Sequence, residues 1–339
     1  MKNQQIVFTE KNKAELLDVE LHEPKANEVM VKTMVSTISC GTERANITGD
    51  LSTNAFGGPT VVFPRMSGYN STGVVVKTGA DVKSVATGDR VVVFWGRHKT
   101  YNVVPENRVV KIEKDSVSFE TGAMSFISAF PMAAIRKTRL EMGESAIVMG
   151  LGILGMIAVK LLRVAGAVPI LAADPNPERR EMALKNGADY ALDPLSPDFA
   201  QTVKKITRGG VQVAIEVTGV GAGFNEALDC MARFGRVALL GCTRNPNFTV
   251  DYYRKIHAPG ITVIGAHTIA RPEKESHPGW FTHRDDIRAT LNLCAGGRLC
   301  MENLLGETHS PVECPEVYNR LIFDKDFPVV VQFDWRALQ

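Results

Sequence analysis

The apolar run Ala146-Ile147-Val148-Met149 leads directly into Gly150-Leu151-Gly152-Ile153-Leu154-Gly155, and an apolar helical stretch from Ile153 to Val164 follows. Three glycines at this spacing, between a strand and a helix, leave few folds open. Gly150 permits a tight turn, Gly152 lets a ligand approach the backbone, and Gly155 lets helix and strand pack closely. An acid at the end of the next apolar run, Asp174, lies nineteen residues past Gly155. This combination reads as a dinucleotide site. The pyrophosphate would lie on the N–H groups of Gly152, Ile153, Leu154 and Gly155 at the helix start, and Asp174 would meet the ribose hydroxyls. A carboxylate there repels a 2′-phosphate, so NAD is expected over NADP. Arg179 and Arg180 leave a second outcome open: they accommodate a 2′-phosphate, or they form a solvated first turn. Glycines that serve packing alone are the other reading of the motif.

The pattern around this motif alternates. Ala146 to Met149, Val168 to Ala173, Val211 to Val217, Val237 to Leu240 and Ile261 to Gly265 have the character of buried strands. Ile153 to Val164, Glu178 to Asn186, Phe199 to Arg208 and Gly223 to Phe234 are the helices expected between them. Such alternation predicts right-handed crossovers and a doubly wound parallel sheet of the Rossmann type, hence an α/β fold. The first 120 or so residues differ. Val29 to Ile38, Gly73 to Lys77 and Arg90 to Phe94 are short strand-like runs, and Gly57-Gly58 and Gly88-Asp89 mark turns, so a compact β-rich domain is expected. The tail from Arg271 offers one helix, Arg284 to Cys294, and one strand, Val329 to Phe333.

Charge excludes one class of partner. Thirty-nine basic and 37 acidic residues give +2, with no basic block, so nucleic acid is not expected. Six cysteines without a Cys-x-x-Cys pair read as reduced thiols. The N-terminus has no apolar h-region, and the longest apolar run, Ala146 to Val159, is too short for a bilayer. A cytoplasmic protein without membrane contact is the expectation.

Cys40-Gly41-Thr42-Glu43, the Gly68 to Gly73 turn, Gly88-Asp89-Arg90-Val91, Gly122-Ala123, the glycine fingerprint and Lys185-Asn186-Gly187-Ala188-Asp189 together resemble the medium-chain dehydrogenase/reductase superfamily, which includes zinc alcohol dehydrogenases. The resemblance implies a GroES-like catalytic domain of residues 1–126 and 271–339, a Rossmann domain of residues 127–270 inserted in it, and an active site in the cleft between them. It also suggests a homodimer through Rossmann edge strands. Gly41-Thr42-Glu43-Arg44 with Gly68-Tyr69-Asn70-Ser71 is similar to the subgroup containing bacteriochlorophyllide dehydrogenase, departing from it at Asn70.

Zinc members hold the metal with a Cys, a His in a Gly-His-Glu turn, and a Cys or Glu after a Gly-Ala pair. Here Cys40 matches the first, Tyr69 and Asn70 replace the His-Glu pair, and the third falls near Phe126. One thiolate cannot hold a tetrahedral catalytic zinc, so no metal is expected. Hydride transfer still needs a group to stabilise and protonate the substrate oxygen. The family geometry puts Cys40, Thr42 and Tyr69 at that place. Tyr69 is the candidate acid or a packing residue; Thr42 is its relay or a ribose contact; Cys40 is a participant or a relic thiol. Glu43 and Arg44 pair with each other or with the interdomain helix.

On the cofactor side, Thr218, Gly241 and Cys242 end strands at the carboxyl edge. Gly265-Ala266-His267-Thr268 resembles the family segment whose backbone holds the carboxamide of nicotinamide, which implies cofactor contacts from Ala266 and Thr268. His267 is a second candidate acid/base or a structural residue. Asn70, Trp95 and His98 are expected to line the substrate pocket, and Arg271 to His283 forms a lid or a surface loop. The leading expectation is a zinc-independent, NAD(P)H-dependent oxidoreductase acting on a carbonyl, alcohol or activated alkene of a small molecule. The alternatives are a non-catalytic NAD(H) sensor or structural protein, and a zinc enzyme with unusual ligands such as Cys40 with Glu43.

Overall fold

The computed structural model describes residues 2–51, 61–243 and 245–338; the expected Gly57-Gly58 turn lies outside them. In chain order the elements are β1 (Gln4–Glu10), β2 (Lys13–Asp18), β3 (Glu28–Thr37), α1 (Cys40–Ile47), β4 (Arg65–Met66), β5 (Asn70–Thr78), β6 (Arg90–Phe94), β7 (Tyr101–Pro105), β8 (Val109–Lys111), α2 (Phe119–Gly122) and α3 (Ser125–Thr138). The alternating part follows as β9 (Ala146–Met149), α4 (Ile153–Ala165), β10 (Ile170–Ala173), α5 (Pro177–Lys185), β11 (Tyr190–Leu192), α6 (Phe199–Thr207), β12 (Val211–Glu216), α7 (Gly221–Asp229), β13 (Met231–Leu239) and β14 (Thr262–Gly265). The chain ends with α8 (His283–Ala295), β15 (Leu305–His309), α9 (Cys314–Phe323) and β16 (Val330–Asp334). No described helix is long and apolar enough to cross a membrane.

The chain divides into two compact units, Met1–Ile127 with Ile287–Gln339, and Ser128–Asp286. Residues 271–286 lie in the second unit, whereas the resemblance implies a return to the catalytic domain at 271. In the second unit, six parallel strands run in the order β11-β10-β9-β12-β13-β14. The order reverses between β9 and β12, and ligands of such sheets bind outside the carboxyl ends of the strands at that switch point. Strands β9 and β10 are buried at every residue, as a parallel sheet covered on both faces requires.

One expected helix is corrected. α7 stops at Asp229, and Met231 to Phe234 belong to β13. The register of β12 against β13 shifts between Val211–Met231 and Val213–Arg236, and within this irregularity Phe234 takes φ +62° and leaves its ring 70% exposed. Local propensity gave no sign of this, because strand pairing decides it.

The first unit is built on a seven-stranded sheet in the order β15-β16-β3-β5-β6-β8, with β7 on β3, and a three-stranded sheet, β2-β1-β4. A buried polar network fixes α1 to it. Glu43 is 2% exposed and accepts the Ser39 N–H at 2.9 Å, His98 Nε2 at 3.1 Å and the Tyr318 hydroxyl. Trp335 Nε1 donates to Ser36 Oγ at 2.8 Å, which leaves the Ser36 proton for His98 Nδ1 at 2.7 Å and the ring proton for Glu43. His98 is therefore not a pocket-lining residue. It is fully buried, T-stacked on Phe333, and its chemistry is spent on Glu43. Nor does Glu43 pair with Arg44, whose Nε donates to the Leu321 carbonyl at 2.7 Å. A buried carboxylate that loses one partner is typically destabilising by about 3–5 kcal/mol. His98→Leu is expected to lower the melting temperature by about 5 °C or more. An unchanged melting curve, read by circular dichroism, would refute the structural assignment.

Candidate functional site

The glycine turn shows which positions need glycine for packing and which face open space. Gly150 sits at φ +94°, in the left-handed region. A Cβ on Gly155 would meet the Gly150 carbonyl oxygen at 1.9 Å, so helix α4 and strand β9 approach too closely for any side chain. A Cβ on Gly152 would meet nothing within 4 Å. Gly152 is also the N-cap of α4 and offers no side-chain cap, so the first-turn N–H groups, from Ile153 and Leu154 onward, have no side-chain acceptor there. An anion is suited to that place.

Asp174 is 6% exposed, and its two oxygens accept the Leu151 N–H at 2.8 Å and the Asn176 N–H at 2.9 Å. It thereby ties the glycine turn to the start of α5, while each oxygen keeps a lone pair for a ribose hydroxyl. The two arginines separate in role. Arg180 donates to the Asp174 and Pro175 carbonyls at 2.8 and 2.9 Å and lies 3.6 Å from Asp193, whereas Arg179 stands 4.0 Å from the Asp174 carboxylate. Arg179 is thus the cation beside the Asp174 carboxylate.

Glu216 went unnoticed in the sequence. It ends β12 at 2% exposure; one oxygen accepts the Thr218 N–H at 2.8 Å and its hydroxyl, and the Gly219 N–H lies at 3.2 Å. Burial pushes its pKa up, and these hydrogen bonds oppose that. The signal was present, since Glu216 is an acid closing an apolar strand. Gly241 is required for a different reason: a Cβ there would meet Gly219 N at 2.4 Å. Cys242 beside it is exposed, and all six cysteines are free thiols.

Beyond β14, Ala266 is 1% exposed and donates its N–H to Leu239 at 3.0 Å. His267 Nδ1 accepts the Ile269 N–H at 3.4 Å, and burial with the nearby Lys137 charge holds the ring below its ordinary pKa. The Thr268 hydroxyl lies 3.1 Å from His283 Nε2. Residues 271–283 are pinned: Arg136 lies over Phe281 at 3.7 Å, and Ser276 and Thr282 both donate to Asp285.

In the first unit, Cys40 and Thr42 occupy the first turn of α1. The Cys40 sulfur lies 4.0 and 3.9 Å from the Ile38 and Val329 carbonyl oxygens, and Thr42 is exposed. Ser39, the helix N-cap, makes no capping bond with its side chain and instead accepts the Tyr69 hydroxyl. The Tyr69 ring, half-buried, packs at 5.7 Å on Trp95 and 5.8 Å on Phe126, and Trp95 lies 5.0 Å from Phe126. Trp95 holds φ +57°, a conformation that is an outlier for a bulky side chain. Gly68 lets the turn cross His98, whose ring a Cβ would meet at 2.5 Å. Asn70 is 1% exposed, and both its amide atoms lack a hydrogen-bond partner.

The resemblance sets the Cys40 thiol, the Tyr69 phenol and the neighbourhood of the fully buried Phe126 ring against the family's three zinc-ligand positions. This donor set does not fit tetrahedral zinc. In the variant with Cys40 and Glu43, the carboxylate is turned onto His98, Tyr318 and Ser39. Among the described residues no group of three His, Cys, Asp or Glu could hold a metal ion.

These geometries separate packing from binding. Gly152→Ala should leave the melting temperature nearly unchanged and weaken NADH binding about tenfold or more, by placing a methyl where the pyrophosphate approaches. Gly155→Ala should lower the melting temperature itself. Calorimetric titration with thermal unfolding checks both; loss of stability in Gly152→Ala would contradict the open space at that residue.

Comparison with known proteins agrees with this architecture. Residues 25–114 match the alcohol dehydrogenase GroES-like domain and residues 154–278 match the zinc-binding dehydrogenase family. The L-threonine 3-dehydrogenase of Pyrococcus horikoshii is 27% identical over 280 residues, covering 74% of this chain and 79% of that one. The (R,R)-butanediol dehydrogenase of Bacillus subtilis is 28% identical over 268 residues, covering 71% and 72%. The crystal structure of 2R,3R-butanediol dehydrogenase from Bacillus subtilis shares the fold, with a TM-score of 0.82, 22% identity and coverage of 98% of this chain and 99% of that one. The chain belongs to the medium-chain dehydrogenase/reductase superfamily and is an NAD(P)-dependent oxidoreductase within it.

Proposed function

We propose that this protein is a zinc-independent oxidoreductase that moves a hydride between NAD(H) and the carbonyl or alcohol group of a small molecule, with Tyr69 as proton donor. An activated alkene fits the same chemistry. Relatives named as dehydrogenases of threonine and of butanediol support an alcohol or its carbonyl as the reacting group. The observation that carries the reading is the hydroxyl of Tyr69, held by Ser39 at the head of α1, where the resemblance puts the metal-binding imidazole.

Bound NAD(H) supplies or takes up the hydride. The first turn of α4, from Gly152 through Gly155, receives the pyrophosphate, and Asp174 receives the ribose hydroxyls and disfavours a 2′-phosphate. Arg179 is the opposing influence. Thr218, Gly241, Cys242, Ala266 and Thr268, at the carboxyl ends of β12, β13 and β14, hold the nicotinamide half, with the Ala266 to Thr268 backbone on the carboxamide. With substrate bound, the Tyr69 hydroxyl turns its single proton from Ser39 Oγ to the substrate oxygen, hydrogen-bonds it as negative charge builds there and delivers that proton to it. Ser39 then donates its own hydroxyl proton as a hydrogen bond to the Tyr69 oxygen, Thr42 relays a proton from solvent to restore the phenol, and Cys40 is a small thiol in the same turn of α1. Trp95 and the Tyr69 ring provide an apolar wall, and the orphaned Asn70 amide supports a polar substrate contact. His267 is the fallback acid, disfavoured because burial and the nearby Lys137 charge lower its pKa and so favour the neutral ring over the imidazolium. The exposed edge of β14, with Val263 39% exposed, supports a homodimer paired sheet to sheet.

Elemental analysis should find no stoichiometric zinc. Tyr69→Phe should lower kcat by about 10²–10⁴-fold with NADH affinity unchanged; near-normal turnover transfers the role to His267 or water and ends the assignment. Tight zinc, one per chain, would overturn the metal-free reading independently.

Cofactor choice has its own test. Wild-type protein should bind NADH more tightly than NADPH, and Asp174→Ala should narrow the difference. Equal or reversed affinities in the wild type would mean that Arg179 overrules the carboxylate.

A further inference from the structure

Lys137, in the last turn of α3, is 8% exposed and belongs to none of the motifs that mark the cofactor or the chemistry. Its ammonium donates to the Gly265 carbonyl at 3.1 Å and to the Ala270 carbonyl, and stands 4.6 Å from the centre of the Trp280 ring. Gly265 ends β14, and Ala270 closes the turn that follows. Between them Ala266 is tied to Leu239, and the Ala270 N–H bonds the His267 carbonyl at 2.9 Å. The next residue, Arg271, donates to the Thr268 and Ala129 carbonyls at 3.0 and 2.7 Å and pairs at 3.0 Å with the fully buried Asp286. One lysine thus joins both ends of a short loop that a buried arginine anchors beyond.

A buried ammonium is costly, and an apolar side chain of the same length would pack against Trp280 without that cost. What the charge adds is the joining of two carbonyls. Burial and the Arg271 charge pull the lysine down to about 8, with Asp286 acting against them.

We propose that Lys137 is a positioning residue for the nicotinamide half of the cofactor: by holding the Gly265 and Ala270 carbonyls it sets the backbone of Ala266 to Thr268. It touches neither cofactor nor substrate. This inference rests on the nicotinamide placement given under the proposed function. The test compares NADH with ADP-ribose, which carries the adenosine and pyrophosphate but no nicotinamide, so that the ratio of their affinities is insensitive to Asp174 and Arg179.

Lys137→Met keeps the length and apolar packing and removes the donors. Calorimetric titration should show NADH binding weakened about tenfold, the order expected for charged hydrogen bonds, with ADP-ribose binding unchanged. Unchanged ADP-ribose binding also shows that the variant's sheet is folded. Equal NADH affinity in variant and wild type, or parallel loss of both ligands in the variant, overturns the proposal alone. A wild-type protein that binds NADH no more tightly than ADP-ribose overturns the nicotinamide placement and this proposal with it.

Discussion

Taking a carboxylate out of water costs several kcal/mol unless donors converge on it, and three acids of this chain impose that demand on the turns that matter. Glu43 gathers the Ser39 N–H, His98 and Tyr318 and so orients the head of α1. Asp174 gathers the Leu151 and Asn176 N–H groups and so joins the glycine turn to α5. Glu216 gathers Thr218 and Gly219 and so shapes the exit of β12. Asp174 and Glu216 lie at the ends of strands, where the backbone has left its ladder and N–H groups are available, and Glu43 lies in the first turn of α1. The geometry of these three turns is therefore set from beneath, by buried carboxyl groups.

Lysine and arginine apply the same rule with opposite sign. Lys137 gathers carbonyls from both ends of the turn after β14, and Arg271 gathers two more while Asp286 neutralises it. On our reading the loop meeting the nicotinamide is held by cations as the glycine turn is held by an anion. In the first unit, the Tyr69, Trp95 and Phe126 rings pack edge to face or tilted at 5.0–5.8 Å. Such a cluster suits an apolar wall carrying one polar handle.

The glycine fingerprint, Asp174 and the succession of buried strands and helices were legible in the sequence because their causes are local. A Cβ clash at Gly155 and the positive φ of Gly150 follow from chain geometry within a few residues, and apolar runs of four report burial on both faces. Even so, the end of α7 was misread, because Met231 to Phe234 are held by pairing with β12 and not by their own propensity.

Tertiary structure alone decided where the buried polar side chains find their partners. Nothing near His98 in sequence predicts Glu43, and nothing near Glu43 predicts Tyr318. A pocket residue and a structural residue look alike until the chain has closed. Likewise Lys137 resembled any lysine near a helix end until β14 and its following turn came to it. The sequence by itself determined the backbone conformations and the alternation of elements, since these follow from steric limits and side-chain periodicity. The fold decided which charges are buried together, because that depends on contacts between residues far apart in the chain.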